Sequence, residues 1–302
     1  MSDRPKTSGP VGLIGLGKMG QPMSAVLLAA GFDLVGYDPL EPARAALTVS
    51  GGTAAADASE VARSVHTLIL MLPNSAAVEG VVEQLLDDMA LTEGHLLIDM
   101  SSSEPLRTRA LAEQLKAHGV DLIDAPVSGG VARAKTGKLT IMTGGDASLI
   151  DAGRPVLEAL GTVFSVGPVG SGHAVKALNN LLSATHLMAT AEAMRAGREL
   201  GLEADAMLAV FNTASGQSGS TLNKWPNFVL TETYNSGFAL DLMCKDVRIA
   251  TDLLRSLGTP SEVSLAIDDA WQHAMADLAG GADHTEVARW VDKRAATPAA
   301  SA

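Results

Sequence analysis

A glycine-rich turn near the start of the chain constrains its fold most. An apolar run leads into Gly15-Leu-Gly17-Lys18-Met19-Gly20, a helical pattern follows from Met19 to Ala30, and a second predicted strand, Phe32 to Tyr37, ends at Asp38. A lone Gly-x-Gly-x-x-Gly is weak evidence. Placed between strand and helix, with an acid at the tip of the next strand, it is typical of a dinucleotide-binding βαβ unit. The alternative is a glycine-rich turn that binds no ligand.

Each residue of this motif has an expected role. Gly15 allows the tight turn, Gly17 lets the backbone approach a pyrophosphate, and Gly20 lets the helix pack close to the strand. The helix N-terminus supplies N–H groups to the anion. Asp38 can accept hydrogen bonds from both ribose hydroxyls, and its charge would repel a 2′-phosphate, which favours NAD over NADP. Arg44 lies close enough in sequence to leave NADP open.

Strand and helix patterns alternate through the first half of the chain and helices alone fill the second. Further strands are predicted at His66–Leu72, His95–Asp99, Asp121–Asp124, Leu139–Met142 and Val163–Val166, and helices at Pro42–Val49, Ser75–Met89, Glu104–His118 and Ser148–Leu160. Repeated units of this kind predict a mostly parallel sheet covered on both faces. The later helices are predicted at Ala174–Leu200, Ala204–Thr213, Leu240–Leu257, Pro260–Leu278 and Thr285–Lys293.

The fold class predicted is therefore an α/β Rossmann-type dinucleotide-binding domain followed by an all-α domain. Two glycines around a proline, Gly167-Pro168-Val169-Gly170, mark the boundary. We expect domains at residues 10–168 and 169–294, with short disordered tails at 1–9 and 295–302.

A lysine on the first long helix of the second half is a candidate acid/base. Lys176 is followed by Asn180 four residues later, so both side chains project from one face of an apolar helix. An amine beside a carboxamide suits proton transfer with an orienting partner, and burial generally brings a lysine's pKa closer to neutrality. The alternative is a surface lysine whose stem covers apolar neighbours.

Three loops leave predicted strand ends, where an open α/β sheet binds its ligands. The loop Asp124-Ala-Pro-Val-Ser128-Gly129-Gly130 can turn N–H groups and a hydroxyl onto a small anion. The loops Leu72-Pro73-Asn74 and Ser101-Ser102-Ser103 are placed to line a nicotinamide ribose. Each alone is also consistent with ordinary turn chemistry.

Composition narrows the class of protein. The formal net charge of −12 argues against nucleic acid or an anionic membrane as partner. The one cysteine, Cys244, excludes a disulfide framework, and with scattered histidines it predicts no metal site. No long apolar run predicts a membrane span, and the N-terminal residues lack the apolar segment of a signal peptide. We therefore expect a soluble, cytoplasmic enzyme.

Taken in order, the motifs carry a resemblance to a known family. The glycine turn at 15–20, the Asp124–Gly130 loop, the segment from Gly170 through Lys176 to Asn179-Asn180, and Lys245-Asp246 cover essentially the whole chain. Together they resemble the β-hydroxyacid dehydrogenases, which include 3-hydroxyisobutyrate dehydrogenase and tartronate semialdehyde reductase. The resemblance implies an NAD-dependent enzyme that interconverts a small β-hydroxy acid and its semialdehyde.

The resemblance also implies residue roles. Lys176 would be the catalytic acid/base and Asn180 would help to hold the substrate. Substrate contacts are implied for Ser128, Gly129, Gly130, Asn179, Phe238 and Asp246, and cofactor contacts for Gly15, Gly17, Lys18, Met19, Gly20, Asp38, Leu72, Pro73, Asn74, Ser102 and Lys245. Ser102 stands where many members have threonine and keeps the hydroxyl. The active site is then expected between the sheet domain and the helical domain.

Alternative functions stay open at this point. One is a reductase of tartronate semialdehyde or another aldehyde acid, including sulfonated or polyhydroxylated acids. Imine reductases share the architecture but generally lack the lysine, 6-phosphogluconate-type decarboxylases usually have a longer helical region, and a non-catalytic dinucleotide sensor would not need Lys176.

The sequence is less informative about the substrate and the assembly. The polar segment Ser215–Asn227, which includes Lys224, lies where the family's pocket wall is expected and suits a hydroxylated or anionic substrate. It is equally consistent with a helix–helix loop and an N-cap. The apolar helices of the second half exceed what one such domain buries, so we expect a homodimer or homotetramer.

Overall fold

A mostly parallel sheet of nine strands is the centre of the first of two units. The computed structural model describes residues 9–296, and the chain divides into its two units between Lys176 and Ala177. The strands are β1 (Val11–Ile14), β2 (Leu34–Tyr37), β3 (Thr53–Ala54), β4 (Thr67–Leu70), β5 (Leu96–Asp99), β6 (Asp121–Asp124), β7 (Val127–Ser128), β8 (Leu139–Gly144) and β9 (Gly161–Gly167). Their order across the sheet is β3, β2, β1, β4, β5, β6, β8, β7, and β9 pairs with β8.

Helices connect these strands and cover the sheet. They are α1 (Gly20–Ala29), α2 (Glu41–Val49), α3 (Ala58–Ser64), α4 (Ser75–Asp87), α5 (Pro105–Lys116), α6 (Gly130–Ala134) and α7 (Ala147–Leu160). Proline in the first turn of α2 and α5 fits their starts, because its fixed φ is already helical and its missing N–H is not needed there. The next helix, α8 (Ser171–Glu199), begins in the first unit and continues into the second.

Successive residues of the central strands point to opposite faces of the sheet. On β4, Ile69 packs in the same cluster as Met23 of α1 and Val156 of α7, whereas Leu68 and Leu70 pack with α3, α4 and α5. This alternation is the strand period of two, and apolar residues on both faces explain why the strands read as continuous apolar runs.

Six strands of the sheet, β1 to β6, run in one direction and end at one edge. In contrast, β8 runs antiparallel to β6 and β7. The predicted α/β class with a mostly parallel sheet is confirmed. The sequence did not predict β3, α3, β7 or α6. The two strands have only two residues each, and the two helices, of seven and five residues, are too short for a helical hydrophobic period to emerge.

The second unit is largely helical, as predicted. After α8 come α9 (Ala204–Thr213), a π-helix (Ser220–Val229), α10 (Leu240–Ser256), α11 (Glu262–Asp277), a 3₁₀ turn (His284–Glu286) and α12 (Val287–Ala296). The buried side chains of Trp225, Trp271 and Trp290 belong to its core. The Trp290 indole N–H donates to Asp277 at 2.8 Å, which satisfies a polar group that burial would otherwise leave without a partner.

The structure also bears on the expected boundary and tails. A single helix, α8, runs through the junction of the two units, which lies after Lys176. Residues 1–8 and 297–302 of the predicted tails lie outside the described residues, and Ala295 and Ala296 are the last residues of α12. Within residues 9–296, none of the helices is long and apolar enough to cross a membrane.

Candidate active site

The turn after β1 requires glycine at two positions for reasons internal to the protein. Gly15 has φ +98°, and a Cβ there would lie 2.2 Å from the Met71 carbonyl oxygen. A Cβ on Gly20 would lie 1.9 Å from the Gly15 carbonyl oxygen. Real Cβ atoms do not approach so closely. A larger residue at Gly15 would therefore displace the segment after β4, and one at Gly20 would push the start of α1 away from the turn.

Gly17 differs from the other two glycines of the motif, Gly15 and Gly20. It is exposed, its φ is not positive, and a Cβ there would meet no atom of residues 9–296 within 4 Å. Packing within the described residues therefore gives no reason for a glycine at this position. Close approach of a ligand's pyrophosphate to the backbone does give one, so the turn fits a dinucleotide. Lys18 beside it is exposed and Met19 is half-buried.

Asp38 is held rigidly at the end of β2. One carboxylate oxygen accepts the Leu16 N–H at 2.8 Å and the other accepts the Leu40 N–H at 2.9 Å. A carboxylate has about four lone-pair sites, so each oxygen can accept one more hydrogen bond. Arg44 donates to the Asp38 carbonyl oxygen at 2.6 Å, and its guanidinium lies 5.7 Å from the centre of the Tyr37 ring. The carboxylate and the guanidinium thus lie near the same strand end.

The loops after β4 and β5 are bonded to each other. The Leu72 N–H donates to the Ser101 hydroxyl oxygen at 2.9 Å, and Asp99 accepts hydrogen bonds from the Ser101 N–H and the Ser103 hydroxyl. Pro73 is exposed and Ser102 is half-buried. The Asn74 side chain accepts the Ala77 N–H at 3.0 Å, so it caps α4 and has a structural role of its own.

The first turn of α8 is fixed to the end of β6. Asp124 is fully buried, and its two carboxylate oxygens accept the Gly170 N–H at 2.6 Å and the His173 N–H at 2.8 Å. Burial raises the pKa of Asp124, although the nearby His173 and these two N–H groups oppose the rise. A carboxylate on a distant strand therefore satisfies N–H groups that a helix start leaves without partners.

His173 ties the same turn to two further elements. Its Nε2 lies 3.1 Å from the Ser101 carbonyl oxygen, and its Nδ1 lies 2.9 Å from the Thr108 hydroxyl. A carbonyl oxygen only accepts, so Nε2 carries a proton and donates it to Ser101. The ring also lies 3.7 Å from Asp99 and 3.8 Å from Asp124, the last residues of two paired strands.

Glycines allow α8 to come this close to the sheet. A Cβ on Gly172 would lie 2.2 Å from the Met142 carbonyl oxygen of β8, and a Cβ on Gly144 would lie 2.5 Å from Asp124. Lys176, one turn after His173, is buried with 7% of its surface exposed. Its backbone position is therefore set by contacts at the sheet edge that leave little room for movement.

In the second unit, Asn180 is fixed by two side chains. Its Nδ2 donates to Asp246 Oδ2 at 2.6 Å, and its Oδ1 accepts from Asn179 Nδ2 at 3.2 Å. Lys245 Nζ lies 3.0 Å from the other oxygen of Asp246, which is buried. Four of the residues that the sequence singled out therefore form one bonded group on α8 and α10.

The remaining candidates lie on two loops. Gly129 and Gly130 follow Ser128 with φ +126° and +62°, a left-handed region that favours glycine. A Cβ on Gly130 would meet no described atom within 4 Å, so open space lies beside its Cα. Phe238, just before α10, packs edge-on against the His284 ring at 5.5 Å.

Several residues that position the site were not predicted from the sequence. Asp124 and His173 lie within the predicted motifs, but no role follows from the sequence for either of them, nor for Asp99 or Thr108. A signal was present, because Asp99 and Asp124 each end an apolar strand at the ligand edge. In the Ser215–Asn227 segment, the Ser218 hydroxyl accepts the Ser220 and Thr221 N–H groups, and Gly219 is the N-cap of the π-helix.

Known proteins match the chain along most of its length. Residues 10–170 match the NAD binding domain of 6-phosphogluconate dehydrogenase, and residues 170–291 match the NAD-binding domain of NADP-dependent 3-hydroxyisobutyrate dehydrogenase. The NAD-dependent L-serine dehydrogenase of Pseudomonas aeruginosa is 36% identical over 269 residues, which cover 85% of this chain and 89% of that protein. The 2-(hydroxymethyl)glutarate dehydrogenase of Eubacterium barkeri is 35% identical over 248 residues, with 80% and 81% covered.

A solved structure is also similar. Mycobacterium tuberculosis 3-hydroxyisobutyrate dehydrogenase with L-serine has a TM-score of 0.88 at 30% identity, and the match covers 94% of this chain and 99% of that one.

Proposed function

Since this chain belongs to the β-hydroxyacid dehydrogenase family, an NAD(P)-dependent group of oxidoreductases acting on hydroxy acids, we propose that Lys176 is its general acid/base. The observation that carries this proposal is the burial of an amine one turn after the Asp124-anchored start of α8. In the oxidative direction, Lys176 removes the proton from the substrate hydroxyl, and in the reductive direction it returns that proton.

The cofactor is held, in this proposal, at the carboxyl edge of the parallel strands. Gly15, Gly17 and Gly20, with Lys18 and Met19, face the pyrophosphate, and Leu72, Pro73, Asn74, Ser102 and Lys245 contact the rest of the cofactor. When bound, NAD accepts the hydride that leaves the substrate carbon. Asp38 has free lone pairs for the ribose hydroxyls and a charge that repels a 2′-phosphate, which supports NAD over NADP.

The substrate is held by groups on both sides of the reacting carbon. We assign its carboxylate to the N–H groups and hydroxyl of Ser128, Gly129 and Gly130. Asn180, whose amide is fixed by Asp246 and Asn179, holds the substrate oxygen in line with Lys176. Phe238 and Asp246 complete the substrate contacts.

The names of relatives support a proposal for the substrate class. L-serine, 2-(hydroxymethyl)glutarate and 3-hydroxyisobutyrate, which appear in the names of these relatives, all carry a hydroxymethyl group on the carbon that bears the carboxylate. We infer that this chain oxidises a 3-hydroxypropanoate substituted at the 2-position to its semialdehyde. The polarity of the Ser215–Asn227 segment favours a polar or anionic substituent over a methyl group.

The test is NADH formation by the purified protein with a panel of acids. The panel contains 3-hydroxyisobutyrate, L-serine, 2-(hydroxymethyl)glutarate, glycerate, threonate, 3-hydroxypropionate and a sulfonated analogue. We expect turnover of at least one, with a strong loss in Lys176→Ala. No NADH from any member of the panel, with the cofactor shown to bind, would contradict the proposal.

We also propose that the chain assembles as a homodimer or homotetramer. Leu178 and Leu182 project from α8 with 36% and 57% of their surface exposed. Apolar side chains one turn apart on an exposed helix face favour burial against another copy. Light scattering should give a dimer or tetramer mass, and Leu182→Glu should lower it. A monomer at micromolar concentration would contradict this assembly.

A further inference from the structure

Lys224 is a half-buried lysine that the proposed reaction does not use. It lies on the π-helix Ser220–Val229, and its Nζ donates a hydrogen bond to the Ser183 hydroxyl at 2.6 Å. Ser183 follows Asn180 by three residues on α8, and residues three apart project from the same face of a helix. Lys224 therefore reaches the face of α8 that carries Asn180.

The charge of Lys224 is poorly compensated by the protein. In the part of the chain that the structure describes, no carboxylate oxygen lies within 4.0 Å of its Nζ. Burial lowers the pKa of Lys224 to about 8, and the charge of Asp283 only partly opposes this. An ammonium group has three donors, of which Ser183 uses one. Two donors remain for an anionic acceptor that residues 9–296 do not supply.

Asp283 is committed to other partners. Its oxygens accept hydrogen bonds from the Ser236 hydroxyl, the Gly237 N–H, and the Thr285 N–H and hydroxyl. Burial opposes ionisation of Asp283, but these bonds and one from His284 outweigh it and lower its pKa. Burial, with the charge of Lys224, lowers the pKa of His284, so His284 adds no fixed charge. The polar groups around Lys224 are thus occupied or neutral.

We propose that Lys224, oriented by Ser183, binds a second anionic group of the substrate, a carboxylate or sulfonate beyond the reacting hydroxymethyl carbon. This inference rests on the proposed function, which assigns the first carboxylate to Ser128–Gly130 and the hydroxyl to Lys176. Ser183 lies two turns after Lys176, a distance of about 10 Å along the helix axis. The second anion therefore belongs to a substituent of several atoms, and the substrate is a dianion longer than 3-hydroxypropionate.

A matched pair of substrates isolates the second charge. 2-(Hydroxymethyl)glutarate and 2-(hydroxymethyl)pentanoate share one carbon skeleton, and the first carries a carboxylate where the second carries a methyl group. The measured quantity is the ratio of their kcat/KM values. We expect wild type to favour the dianion and Lys224→Met to lower the ratio by about 10- to 100-fold, the range expected for a charge-assisted hydrogen bond. Lys116→Met, which removes an exposed lysine paired with Glu113, should leave the ratio unchanged.

A binding measurement separates this inference from the proposed reaction. Glutarate lacks the hydroxyl, so calorimetric titration of the protein with NAD present reports binding alone. Wild type should bind glutarate more tightly than pentanoate, and Lys224→Gln should lose that difference. If wild type binds glutarate through Lys224 but oxidises neither alcohol, the proposed reaction fails and the anion site stands. The anion site would be overturned if the ratio of the two kcat/KM values were the same in wild type and Lys224→Met, or if Lys224→Met lowered kcat/KM equally for both substrates.

Discussion

The His173 N–H donates a hydrogen bond to the Asp124 carboxylate at 2.8 Å, and this bond joins the end of β6 to the first turn of α8. The Gly170 N–H binds the other oxygen of the same carboxylate at 2.6 Å. Lys176 lies one turn further along the helix. The position of the proposed acid/base thus depends on a fully buried carboxylate whose two oxygens are bonded to backbone N–H groups.

Replacing Asp124 with asparagine tests this dependence. The two N–H groups need two acceptors, whereas an amide offers one, so Asp124→Asn should lower the free energy of unfolding by about 1–3 kcal/mol. Turnover should fall as well, because α8 starts in a less defined position. Urea denaturation and steady-state kinetics measure the two effects. Asp151→Asn, at an exposed ion pair with Arg154, is the control and should change both little. An Asp124→Asn protein that matched wild type in both would contradict the anchoring role.

Alanine at Gly17 should weaken cofactor binding, whereas alanine at Gly20 should lower the stability of the protein. The methyl group of Gly17→Ala meets no atom of the described residues within 4 Å, its chain neighbours aside, so the unliganded protein should unfold at the wild-type temperature while its affinity for NAD falls. Gly20→Ala places a methyl group 1.9 Å from the Gly15 carbonyl oxygen, so it should lower the unfolding temperature itself. Thermal unfolding with and without NAD distinguishes the two. A stability loss in Gly17→Ala equal to that in Gly20→Ala would show that Gly17 is needed by the fold.

Asp38 should set the preference for NAD. Asp38→Ser removes the charge that repels a 2′-phosphate, and Arg44 is available to bind that phosphate, so the ratio of kcat/KM for NADP to that for NAD should rise. The Leu16 and Leu40 N–H groups also lose their acceptor, so stability should fall by about 1–3 kcal/mol. Kinetics with both cofactors give the ratio. If the wild-type enzyme used NADP as well as NAD, Asp38 would not determine the cofactor preference.

Lys224 should give the protein a specific pH dependence of stability. Its pKa is about 8 in the folded protein against 10.5 for a free lysine side chain, so the unfolded chain binds more protons between these values. The contribution of Lys224 to the free energy of unfolding is therefore present above pH 10.5 and is lost as the pH falls through 8. The free energy of unfolding of wild type minus that of Lys224→Met, both measured by urea denaturation, should rise as the pH increases between these two values. A flat difference would mean that Lys224 is not desolvated as described.

Most of the fold follows from local pattern. Continuous apolar strands alternating with amphipathic helices predicted the sheet, and the loss of strand patterns after Val166 predicted the helical second unit. The glycine turn placed the cofactor edge because Gly15 and Gly20 are required by backbone geometry within a few residues. These signals lie within short stretches of sequence, so they can be recognised in a single sequence.

The residues that position the candidate site were not predictable in the same way. Asp124 meets the first turn of α8 across 46 and 49 residues of sequence, and His173 meets Thr108 across 65. Lys224 meets Ser183 across 41 residues, from a π-helix whose sequence reads equally well as a loop. The hydrophobic periodicity of the sequence does not show which distant residues come into contact. They arise from packing, which only a structure provides.

Lys176→Ala tests the central claim most directly. General acid–base catalysis contributes about 10²–10⁴-fold, so turnover of the best substrate should fall by at least that order, while NAD affinity and the unfolding temperature stay close to wild type. Turnover within a few-fold of wild type would contradict the proposed mechanism. A collapse of stability together with activity would instead identify Lys176 as a structural residue.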